Sequence, residues 1–113
     1  MLKALSENSF DSILMTDAEG KITYANAAFK TLTGHNPSDV LGKSPGILQG
    51  VGTDKKVIDR LNATLKSGGN FEGKAINYKK DGTPFIMFWK VVPIKVEDEI
   101  KAWVAIQRQG SEI

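Results

Sequence analysis

Two carboxamides are the residues whose type and placement could do chemistry in this chain. Asn77 and Gln107 both fall inside strand-like runs, where an amide is a poor choice unless its polar atoms find partners. Each offers a donor and an acceptor. The pair could therefore hold the polar edge of a ligand, or serve as a structural hydrogen-bond pair, and the residues alone leave both readings open. The other candidates carry less. The single His35 sits in a loop after Thr33-Gly34, and the chain has no Cys, so neither a thiolate metal site nor a cysteine nucleophile can be built. Gly42, Gly46, Gly50 and Gly52 lack the preceding strand and the Gly-Lys-Ser/Thr ending of a phosphate loop. Asp17 with Glu19, and Glu97-Asp98-Glu99, read as solvated hairpin tips. Catalysis is not expected.

These side chains need elements to position them. Ser12 to Thr16 and Lys21 to Tyr24 flank the turn residues Asp17 to Gly20, which predicts a hairpin. Asn26 is a cap for a helix over Ala27 to Thr33, ended by Gly34; Pro37 to Leu41 adds a helical turn before Gly42. The stretch from Lys43 to Gly52 is irregular. Thr53 is expected to cap a third helix, with Val57, Ile58, Leu61 and Leu65 on one face and Gly68-Gly69 as the stop. Three strands follow: Asn70 to Tyr78, Thr83 to Ile94 and Ile100 to Arg108, joined by turns at Lys79 to Gly82 and Val96 to Glu99. A short entry helix is expected over Met1 to Ser9. Two strands, a helical crossover and three strands predict one antiparallel α/β sheet with helices on one face.

Composition bounds the rest. A chain of 113 residues is one domain, and 41% hydrophobic with 25% charged residues is ordinary for a globular one. The formal charge of +2 comes from 15 basic and 13 acidic residues with no basic stripe, so no nucleic-acid partner is expected. The apolar runs are far too short to span a bilayer and the N-terminus has no signal-peptide core. No direct membrane contact and a cytoplasmic setting are expected. Phe85 to Trp89 is apolar on both faces of the pleat. The outer face is read as a docking surface for a second subunit or flanking helices, with simple covering by the N-terminal segment as the alternative.

The stretch ITYANAAFKTLTGHNPSDVLGKS (Ile22 to Ser44) and the turn KKDGTPF (Lys79 to Phe85), in this element order, resemble PAS domains over nearly the whole chain. The resemblance implies a five-stranded antiparallel sheet in the order 2-1-5-4-3 with helices packed on one face. It places an N-terminal cap at 1–9, the PAS domain at 10–109 and the start of a linker at 110–113. Within the family, Gly42-Lys43-Ser44-Pro45-Gly46-Ile47-Leu48-Gln49-Gly50 followed by Thr53-Asp54 is similar to the flavin-binding light-oxygen-voltage (LOV) branch. That likeness puts Asn77, Gln49 and Gln107 against a flavin, FMN or FAD, with Ser44 and Met87 also at the site. It also exposes departures. Pro45 stands where the photoreactive Cys belongs, so no cysteinyl adduct can form. Ser44 replaces an Asn, Gly46 an Arg that grips phosphate, and Met87 a second ring-contacting Asn. Haem is not expected, because haem-binding relatives use a His of the long helix and Thr53 to Lys66 contains none.

The implied function is signal input to the output domain of a larger protein, such as a histidine kinase, a cyclic-dinucleotide enzyme or a transcriptional regulator. The signal would be a redox state or a small ligand read through the central cavity, and the expected assembly is a homodimer through the sheet face and N-terminal segment. The alternative is a cofactor-free dimerisation or docking module.

Overall fold

The computed structural model describes residues 11–110. The expected entry helix over Met1 to Ser9 lies outside them. The elements are β1 (Ser12–Asp17), β2 (Ile22–Ala25), α1 (Ala27–Thr33), α2 (Pro37–Val40), a 3-10 turn (Pro45–Leu48), α3 (Lys55–Ser67), β3 (Phe71–Tyr78), β4 (Pro84–Val96) and β5 (Glu99–Gln109). The strands form one antiparallel sheet in the order β2-β1-β5-β4-β3, as the resemblance implied. No helix among the described residues is long and apolar enough to cross a membrane.

Local chemistry explains the boundaries. Asn26 Oδ1 accepts from Phe29 N at 3.1 Å and from Ile13 N at 2.9 Å, so one cap starts α1 and ties it to β1. Gly34 ends α1 with φ of 79° and donates its N–H to Lys30 O, the left-handed close that glycine favours. The cap of α3 differs from the expectation. Asp54 takes the role, its Oδ1 accepting from Lys56 N at 2.9 Å. Thr53 is used elsewhere: its hydroxyl donates to Ile76 O at 2.7 Å and accepts from Gly50 N at 3.0 Å. A residue already bridging the loop to β3 cannot also cap the helix. The β4–β5 connection is tighter than the sequence indicated, with Val96 paired to Glu99 and only Glu97 and Asp98 between them, both at positive φ.

The inner face of the sheet holds two apolar clusters. Leu14, Ile22, Phe29, Val40 and Leu48 close the β1–β2 end beneath α1 and α2. Phe71, Phe85, Met87, Trp89, Val91 and Trp103 form the second, beneath α3. The helix contributes Val57, Ile58, Leu61 and Leu65 to that cluster, yet none of its residues is fully buried. These four side chains pack on the cluster while each stays only partly buried. On the outer face, Ile13 pairs with Ile106 and Met15 with Val104, while Val104 also faces Val92. Phe88, Ile94 and Ile106 remain exposed there, at 37%, 39% and 37%.

Candidate ligand cavity

Between α3, the segment from Gly42 to Gln49 and the inner face of β1, β4 and β5 lies a cavity of about 1050 Å³. This is at the upper end of the range for small-molecule sites. Its roof is Ile58, Leu61 and Leu65 of α3; its floor is Leu14, Trp89, Val91, Trp103 and Ala105 of the sheet. The polar residues of the lining are the buried Gln107 and Thr16, the exposed Gln49 and Ser44 of the crossing loop, and Glu19, Lys21, Asn62 and Lys66.

Gln107 is the best anchored of these. Strand alternation puts it on the inner face with Trp103 and Ala105, and the ladder sets it opposite Ser12 on one side and Trp89 on the other. It is 2% exposed, and its Oε1 accepts from the buried Ser12 Oγ at 2.9 Å. That bond fixes the carboxamide on the cavity wall. Ser12 can equally accept, because a hydroxyl is both donor and acceptor, so either orientation of the Gln107 amide can be satisfied.

Gln49 follows the 3-10 turn as its C-cap, its backbone N–H donating to Gly46 O at 3.0 Å. The turn itself is capped by Ser44, whose Oγ accepts from Gly46 N at 3.0 Å. Ser44 thus reaches the cavity with its hydroxyl engaged in its own loop. Beyond Gln49 the chain is clamped to β3. A Cβ on Gly50 would sit 2.3 Å from the Tyr78 ring, and Gly52 N donates to Tyr78 Oη at 2.8 Å.

Asn77 and Met87 lie elsewhere. Both are buried on the inner face, but neither is among the residues lining this cavity. Asn77 Nδ2 donates to Ala75 O at 3.3 Å, and Met87 belongs to the apolar cluster, paired across the ladder with Ala75. The structure brings together Gln49, Ser44 and Gln107, and adds Trp89 and Trp103. The shared parity of the two tryptophans with Gln107 in β4 and β5 is the sequence signal that places them on the cavity wall. His35 lies apart, half-buried beside Phe29 with ring centroids 6.5 Å apart. Partial burial, with the Lys80 and Lys43 ammonium groups, lowers its pKa below 6.5 against an opposing pull from Asp39. No group of three His, Asp or Glu side chains that could hold a metal occurs among the described residues.

Comparison with known proteins places this geometry. The PAS domain family matches residues 11–109. Phototropin-1A of Oryza sativa is 46% identical over 77 residues, covering 68% of this chain and 8% of the relative. The chain thus spans a small part of that protein's length. Among solved structures, a light-oxygen-voltage domain studied with a flavin analogue superposes with a TM-score of 0.89 at 30% identity, covering 98% of this chain and 84% of the other. The LOV domain of the Erythrobacter litoralis blue-light activated histidine kinase gives 0.84 at 28% identity, covering 89% and 96%. Motifs, strand order and these matches agree: the chain belongs to the PAS domain family of sensory modules, on a LOV-like frame without a cysteine.

Proposed function

We propose that this domain is a signal-input module that holds a flavin, FMN or FAD, non-covalently in the cavity beneath α3 and reports its redox state. The observation that carries the reading is Gln107, a buried carboxamide anchored by Ser12 on the wall of an otherwise largely apolar cavity of about 1050 Å³. A bound flavin supplies a reversible electron couple and a blue-absorbing ring. The flat ring fits a slot between aliphatic helix side chains and two indoles, and its N–H and carbonyl edge fits carboxamides. Gln107 and Gln49 bind that edge. Ser44 holds the crossing loop in place. Asn77 and Met87, on the inner face of β3 and β4 outside the cavity lining, would reach the ring only if the cavity extends toward β3 when it is filled. With Gly46 in place of an arginine, Lys21 and Lys66 are the cations left to meet a tail phosphate.

The signal leaves through β1. A change in protonation of the ring edge favours one orientation of the Gln107 amide over the other, and Ser12 follows. Ile13, the next residue, lies on the outer face. There the homodimer forms through the sheet and the N-terminal segment, residues 1–9 acting as cap, 10–109 as sensor and 110–113 as the lead into a cytoplasmic output domain.

The visible spectrum of the purified protein tests this. Flavin bands that co-elute with the protein, or appear after refolding with FMN or FAD, are the expected result; a featureless spectrum after both treatments rejects it. A second reading, a cofactor-free dimerisation module, is favoured by the exposed Phe88, Ile94 and Ile106. It predicts a colourless dimer that Ile106→Glu converts to monomer in light scattering.

A further inference from the structure

We propose that Trp89 and Trp103 make this cavity an electron-donating one, so that light absorbed by a flavin is answered by charge transfer from an indole. The inference rests on the flavin reading above and concerns what the chain's own side chains do to it. Among the described residues, those lining the cavity include no Cys, Met or Tyr. Trp89 and Trp103 are the readily oxidised side chains among these described residues, at 6% and 7% exposure. Trp89 is directly opposite Gln107 in the β4–β5 ladder, where cross-strand Cβ atoms stand about 5 Å apart. A ring edge bound by Gln107 is therefore flanked by an indole. Trp103 lies four positions down the same face of β5 and belongs to the same wall.

The step is self-contained. One electron leaves the π system of an indole for the photoexcited ring, and the same electron returns to refill the indole. No bond forms or breaks, no proton has to move, and no outside oxidant or reductant is consumed. The wall thereby quenches the excited state faster than it can emit.

Flavin-loaded protein, its loading measured by absorbance, is compared with W89F, W103F and the double variant by time-resolved emission. The expected result is a bound-flavin lifetime severalfold shorter in the parent than in the double variant, with the single variants between, each read on its own bound fraction whatever its loading. Equal lifetimes in parent and double variant overturn the proposal while leaving flavin binding intact. A parent that takes up no flavin overturns the underlying reading, and the proposal with it. Should the double variant fail to fold, transient absorption of the parent decides: an oxidised-indole band that rises as the flavin excited state decays supports the proposal, and its absence overturns it.

Discussion

Ser12 Oγ and Gln107 Oε1 meet at 2.9 Å inside the sheet, both side chains essentially without solvent contact. The pair joins β1 to β5 on the cavity wall. Ser12→Ala leaves the Gln107 carbonyl without its partner, which costs about 1–3 kcal/mol for a buried acceptor. Chemical denaturation should show that loss. Ser12→Ala should also weaken or spectrally shift any bound flavin, because the amide orientation is no longer fixed.

The clamp between Tyr78 and the loop after Gln49 gives a graded pair of variants. Tyr78→Phe removes the acceptor for Gly52 N and should cost about 1 kcal/mol, the usual net value of one hydrogen bond. Gly50→Ala is expected to cost more, roughly 1–3 kcal/mol, since its Cβ would drive into the Tyr78 ring. Thermal melts of both variants check the order.

His35 makes stability pH-dependent with a definite sign. Its pKa in the fold is lowered by partial burial, Lys80 and Lys43, so the unfolded chain binds the proton more readily than the native one. Stability is then highest above the ordinary value of 6.5 and falls as pH drops through it toward the lowered folded pKa. Because His35 is only partly buried the effect is small. Melting temperatures across pH 5 to 8 should show a shallow decline on acidification that His35→Gln flattens.

The β4–β5 turn is held by two non-glycine residues at positive φ, 52° at Glu97 and 67° at Asp98. Asp98→Gly removes the Cβ conflict of that conformation, worth up to about 1 kcal/mol. A raised denaturation midpoint without a change in the slope of the transition is the expected outcome.

How far the sequence could be read follows from range. The caps, turns and alternations that set the strand order are local, so Asn26, Gly34 and the apolar rows of β4 and β5 were legible directly. Gln107 was legible as an out-of-place amide. Its partner was not, because Ser12 and Gln107 are 95 positions apart and only the β1–β5 register joins them. Thr53 misled for a similar reason: its hydroxyl was claimed by Ile76 O, a contact across the fold. The cavity itself was least legible. An amphipathic helix normally signals a face packed tight on its neighbour, and nothing in the apolar row from Val57 to Leu65 says that Ile58, Leu61 and Leu65 also line a cavity.

That space beneath α3 would tie the lifetime of the domain to any ligand that fills it. A helix with no fully buried residue has the more to gain from what it closes on, and a ligand held at a hundred times its dissociation constant adds about 2.7 kcal/mol to the closed state. Since degradation follows the population of the open form when reclosing is fast, the supply of ligand would set how much of this protein a cell retains, independently of any signal it sends.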